Sequence, residues 1–141
     1  MGDVAPPVSG KQLILAIALL LLIVGTVVGV RWLKKPPTQP NVEEGRAVAE
    51  QFMTRVRDGK AGDAWDAATA EFKSIEGRES FVRKVKSTLI LTGPFQFNSS
   101  QQAAVKDEPR TEFLFQSSDA KIVRVLIGFE QGNWKVDRLS Y

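Results

Sequence analysis

The 141-residue chain contains no cysteine and no histidine, and its single tyrosine is Tyr141. Without cysteine there is no disulfide framework, no thiolate nucleophile and no lipid-modified cysteine to serve as a membrane anchor. Without histidine as well, a Cys/His zinc site, a Ser-His-Asp triad and an imidazole general base are all excluded. Catalysis would have to run on carboxylates, Lys, Tyr or Ser, and no spacing in the chain assembles these into a recognisable constellation. No catalytic, cofactor-binding or metal-ligating residue is therefore assigned, and no cofactor is expected.

Charge is the next feature to be short on one side, but only locally. The chain carries 19 Lys and Arg against 16 Asp and Glu. Residues 1–40 hold four of the basic residues (Lys11, Arg31, Lys34, Lys35) and one acid (Asp3), which leaves fifteen of each sign in 41–141. The surplus flanks an apolar run, and the remainder of the chain lacks the electrostatic footprint of a nucleic-acid binder. No nucleic-acid partner is expected.

From Leu13 to Val30 the sequence has 18 consecutive uncharged residues, the most polar being Thr26, and Trp32 and Leu33 extend the run. A helix of 18 to 21 residues covers roughly 27–31 Å, which matches a hydrocarbon core of about 30 Å. Leu and Ile occur all round this segment with no polar stripe, as a lipid-facing helix requires and a surface helix does not. The run is longer than a signal-peptide core and ends in Val28-Gly29-Val30-Arg31-Trp32 with no small-residue cleavage site, so it is read as an uncleaved anchor over 12–33. Pro6 stands where a myristoylation motif wants Ser or Thr. Gly25 and Gly29 form a G-x-x-x-G spacing that lets a second helix approach closely, which makes them the candidate helix–helix contact.

A tail over 1–11 precedes the anchor, and Lys34-Lys-Pro-Pro-Thr-Gln-Pro40 follows it as a semi-rigid, proline-rich linker over 34–40. The domain is expected to fill 41–141. Asn41 with Glu44 suggests a capping box, and Gly45, Val48, Ala49, Phe52 and Val56 recur at helical spacing up to Asp58-Gly59. A second helix is expected from Asp63 with Trp65, Ala68 and Phe72 on one side, and a third with Phe81, Val82, Val85 and Leu89. Beyond Thr92-Gly93-Pro94 the period changes to two. Strands are expected from Phe95 to about Val105, over Thr111–Gln116, with Val123, Val125, Ile127 and Phe129 on one face of a third, and with Trp134 and Val136 on the last. Turns are expected at Lys106–Pro109, Ser117–Asp119 and Gln131–Asn133. Helices followed by an antiparallel meander give an α+β class, with about three helices packed on a curved four-stranded sheet.

With these features the segment 42–141 resembles the nuclear transport factor 2-like superfamily, the cystatin-like cone fold. The residues that carry the likeness are Ala47-Val48-Ala49-Glu50-Gln51-Phe52 in the opening helix, Asp58-Gly59-Lys60-Ala61-Gly62-Asp63-Ala64-Trp65 at the turn into the second, and the closing Gly132-Asn133-Trp134-Lys135-Val136. The resemblance is closest to small bacterial proteins with one N-terminal anchor. It implies a single-pass protein of the bacterial inner membrane with its domain on the extracytoplasmic side. The positive-inside count, with Arg31, Lys34 and Lys35 after the span, argues for the cytoplasmic side instead.

Enzymes that resemble this fold keep ionisable groups inside the cone. The candidate carboxylates here, Asp66 beside Trp65 and Asp137 on the last strand, are both expected to be solvated surface acids. Arg124 and Glu130 are expected to share a strand face as surface charge. Trp65, Phe72, Phe113, Phe129 and Trp134 are the candidate lining of an interior pocket, or else the core itself. The expected function is a non-catalytic, membrane-tethered binding or scaffolding subunit, with the lipid bilayer and a membrane-protein partner or a second copy as its contacts. The alternatives are a small-ligand or enzymatic cone and a secretion-system assembly scaffold.

Overall fold

The Asn41 side chain accepts a hydrogen bond from the Glu43 N–H at 3.2 Å and so caps α1 (Val42–Arg57). The cap thus closes on Glu43 rather than through the Glu44 pairing that the spacing suggests. At the far end Gly59 takes φ +79°, and the N–H groups of Lys60 and Gly59 return to the carbonyls of Arg55 and Val56 at 2.8 and 3.4 Å. Glycine enters this left-handed position without the cost that a Cβ imposes. The buried face of α1 is Gly45, Ala49, Phe52, Met53 and Val56. These residues belong to a computed structural model that describes residues 39–141, within a unit running from Pro36 to Tyr141. The expected span 12–33, with Gly25 and Gly29, the tail 1–11 and most of the linker lie outside the described residues. Among the described residues no helix is long and apolar enough to cross a membrane.

Five helices rather than three precede the sheet among the described residues: α1, α2 (Ala61–Asp66), α3 (Ala70–Ile75), α4 (Arg78–Ser87) and α5 (Leu89–Thr92). The helix expected to carry Trp65, Ala68 and Phe72 together is broken at Thr69, which is extended at φ −69° and ψ 164°. Its hydroxyl accepts from the Phe72 N–H at 3.1 Å, and its own N–H donates to the Val136 carbonyl at 3.0 Å. A threonine that can cap a new helix and pair with a strand offers its backbone more than a continued helix would. Asp63, expected as a cap, lies inside α2, whose cap position is Lys60. Thr88, extended at φ −113° and ψ 96° with its hydroxyl donating back to the Lys84 carbonyl at 2.7 Å, breaks the last expected helix, so Leu89 is 85% exposed and Leu91 enters the core in its place.

The sheet is the expected antiparallel meander, β1 (Phe95–Val105), β2 (Glu108–Ser117), β3 (Ile122–Glu130) and β4 (Asn133–Ser140), in that spatial order. The first hairpin turns on Lys106 and Asp107 alone, at φ 52° and 64°, so β2 starts earlier than the sequence suggests. Pro109 fits there because it pairs with Ala104 of β1 and lies past Thr111↔Ile127, where the β2–β3 ladder ends. In the last hairpin Gln131 and Gly132 take positive φ, and Asn133 opens β4. Phe113 and Phe115 stand opposite Val125 and Val123, all four fully buried. Leu126, on the opposite face of β3, is nevertheless 4% exposed, since it sits on an inner strand between Glu112 and Arg138.

Candidate functional site

The space between helices and sheet is occupied by aromatic rings. Phe52, Phe72 and Phe81 meet with centroids 5.3–6.2 Å apart. Phe97 lies 6.4 and 5.9 Å from Phe113 and Phe115. These distances are those of direct ring contact, in which each ring fills the volume its neighbour leaves. Of the five residues expected to line an interior pocket, Phe72 and Phe113 are core. Trp65 is half-buried against the core, its Nε1 donating to the Glu76 carbonyl at 2.7 Å. Phe129 and Trp134 meet edge-to-face at 4.8 Å and pair across the end of the β3–β4 hairpin. The five do not converge on one cavity. Phe72 borders a small groove with Lys84 and Tyr141, Trp134 a second with Arg55, and Phe129 a third.

The third cleft holds the carboxylate whose placement the sequence misjudges. Asp137 is 4% exposed, not solvated. Alternation along β4 predicts the wet face, but Leu126 pairs with Arg138 and Ile127 with Val136, so Asp137 is the unpaired extra residue of a bulge. A bulge re-aims the side chain it carries. Gly128 makes room for it, because a Cβ there would meet Asp137 Oδ1 at 3.0 Å. The Thr69 hydroxyl donates to the same Oδ1 at 2.8 Å. Asp137 Oδ2 is buried and has no hydrogen-bond partner.

Across the same cleft lies Arg110. Its Nη2 pairs with Glu108 Oε2 at 3.1 Å, while its Nε is buried and unpartnered. The cleft also contains Glu130, which accepts from the Ala70 N–H at 3.2 Å and from Lys135 Nζ at 3.1 Å. The Lys135 hydrogen bond, reinforced by the Ala70 amide, holds the Glu130 carboxyl below the usual carboxylate range against the opposing effect of burial. Glu71 Oε1 faces Lys106 Nζ at 3.5 Å and Arg138 Nη2 at 3.8 Å. The volume is about 170 Å³, and Phe129 supplies an apolar wall.

Asp66 is exposed and paired with Arg78 at 3.2 Å, as a surface acid should be. Arg124 is exposed, six residues and so about 20 Å along β3 from Glu130, and the two line no common groove. Sequence reasoning passed over Thr69, Arg110 and Gly128. Gly128 carried a usable signal, since a glycine within Val125-Leu126-Ile127-Gly128-Phe129 marks a bulge or a close approach. Nothing in the sequence pairs Arg110 with Asp137, because the cleft forms only when three strands and the start of α3 are assembled. Among the described residues no group of three or more acidic side chains is arranged to hold a metal ion. No family model matches the chain, and no curated protein matches it.

Proposed function

We propose that this chain is a membrane-tethered, non-catalytic binding subunit, with its domain a nuclear transport factor 2-like cone that meets a protein partner in the plane of the membrane. The observation that carries this reading is the packed interior: Phe113, Phe115, Val123 and Val125, on the helix-covered face of the sheet, are all fully buried against their neighbours. A domain whose interior is solid works through its surface. An apolar anchor over 12–33 followed by a short proline-rich linker confines that surface near the bilayer and raises its effective concentration toward membrane partners. The meander covered by helices is the architecture that the resemblance implies.

The test is native co-purification in mild detergent with mass spectrometry of what remains bound. A reproducible set of membrane proteins in fixed ratio, lost when the segment 1–35 is replaced by an unrelated anchor or when the domain is deleted, is the expected result. Recovery of the chain alone at all detergent concentrations refutes the reading.

A further inference from the structure

The two outer strands of the sheet, β1 and β4, present very different edges. β4 carries Lys135, Asp137 and Arg138, is interrupted by the bulge at Asp137, and has its Val136 carbonyl taken by the Thr69 N–H at 3.0 Å. Charges, a bulge and a covering segment are the devices that stop an edge strand from recruiting another chain.

β1 is guarded far less. Over its 11 residues, Phe95–Val105, it holds no charged residue and no proline. A bulge at Asn98 lies near its start, and from Ser99 to Val105 the pairing with β2 runs unbroken, from Leu114 to Glu108. Among the described residues, no backbone hydrogen bond joins β1 to anything but β2. Alternate N–H and C=O groups along Ser99–Val105 therefore point away from the sheet and are open to a further strand.

The composition of that run selects its partner. The chain's own linker over 34–40 is a poor one, because its three prolines have no N–H to give to a ladder. A second copy of β1 fits. Laid antiparallel on itself about a two-fold axis at Gln102, the midpoint of the unbroken run, Ser99 meets Val105, Ser100 meets Ala104 and Gln101 meets Ala103. No like charges are opposed, as they would be in a charged edge, and the small side chains on either side of the axis leave the backbones free to approach. Gln102 meets itself, and two facing amides can each donate and accept. Such a contact is isologous, and with β4 guarded it closes at two copies.

We infer that the β1 edge binds a second copy of this chain, β1 against β1 and antiparallel across Gln102, joining two four-stranded sheets into one. The inference rests on the reading of the domain as one that works through its surface, and it names the partner of that surface. The two fail separately: a chain that brings membrane proteins with it but shows no β1 pairing keeps the first and loses the second.

The experiment uses the full chain in detergent, carrying Gly25→Leu and Gly29→Leu so that the expected helix contact does not supply the dimer. The chain has no cysteine, so Gln102→Cys introduces one thiol, which would face its own copy at about 4.5–5.5 Å between Cα atoms, within disulfide reach. Ser140→Cys, exposed on β4, is the control. Mild oxidation should cross-link the first at least about tenfold faster than the second. Sedimentation equilibrium should give a dimer dissociation constant in the micromolar range, as suits a contact of a single strand pair. Gln102 is exposed and makes one long side-chain bond, to Gln39 at 3.4 Å, so charge is tolerated there by the fold. Gln102→Lys and Gln102→Glu should each weaken the dimer by about tenfold or more through like-charge opposition, and an equimolar mixture of the two should restore it. A monomer at all concentrations overturns the inference, and hydrogen-exchange protection along β1 in that monomer would assign the edge to the chain's own residues 34–38. A dimer that neither variant weakens, or equal cross-linking of both cysteines, overturns it as well.

Discussion

Replacing Thr69 by valine should unfold far more than one hydroxyl suggests. The side chain is 4% exposed and nearly isosteric with valine, so packing changes little. Its oxygen does two jobs: it accepts from the Phe72 N–H at the start of α3 and donates to the buried Asp137 carboxylate. Loss of the cap costs about 1 kcal/mol. Loss of a hydrogen bond to a charged, buried acceptor costs about 1.5–3 kcal/mol, because Asp137 Oδ2 is already unpartnered and the carboxylate is left with neither oxygen satisfied. The sum is about 3 kcal/mol, or a Tm drop of roughly 12–24 °C in a domain near 100 residues. Thr69→Ser keeps both bonds and should cost under about 1 kcal/mol. In an Asp137→Asn background the penalty should shrink, giving a coupling of about 1–2 kcal/mol in a double-mutant cycle. Urea unfolding of the Pro36–Tyr141 unit, which carries its own core, measures each corner at constant m-value. A loss near 1 kcal/mol for Thr69→Val, or additivity within about 0.5 kcal/mol, would show that the hydroxyl only caps α3 and that the carboxylate does not depend on it.

Gly45→Ala tests the closest approach of α1 to the sheet, because a Cβ there would lie 2.5 Å from Phe113 Cζ and 2.8 Å from Pro40 Cγ. Helix propensity favours alanine by about 1 kcal/mol, but overpacking against a fully buried ring costs about 1–3 kcal/mol, so a lower denaturation midpoint is expected and a higher one refutes the packing. The pH dependence follows from Glu130, whose folded-state pKa is lowered by Lys135 and the Ala70 amide. Its contribution is fully present above the unfolded value of about 4.3 and is lost as pH falls through the lower folded value. Glu130→Gln should therefore flatten the acid limb of stability below about pH 5, and an unchanged limb in thermal melts across that range contradicts the assignment. Replacing Gly25 and Gly29 by leucine should weaken assembly in the membrane. Undiminished recovery of partners with that variant excludes this helix face as the contact.

The fold class was legible because periodicity reports burial directly. Helical spacing in Gly45–Val56 read correctly, Val123, Val125 and Ile127 of β3 enter the core as alternation predicts although Leu126 on the other face is buried too, and the meander order followed from short polar turns. Boundaries were less legible where a side chain bonds the backbone locally. Thr69 and Thr88 each stop a helix that the apolar pattern would continue, and Gln131 shares the positive φ of the last turn with Gly132. Of the candidate site, the sequence singles out Asp137, Phe129 and Glu130, and its expectation of a solvated Asp137 fails because strict alternation takes no account of a bulge.

The sequence by itself determined composition, the excluded chemistries, the single long apolar run and an α+β domain of helices followed by four strands, since each depends on residues near one another in the chain. Only the tertiary structure decided that Phe52, Phe72, Phe81, Phe97, Phe113 and Phe115 pack against one another between helices and sheet. It alone decided that a carboxylate at position 137 and a guanidinium at 110 share a cleft with Thr69, a placement set by strand register, one bulged residue and one missing Cβ. Those are contacts between distant segments, and no local pattern encodes them.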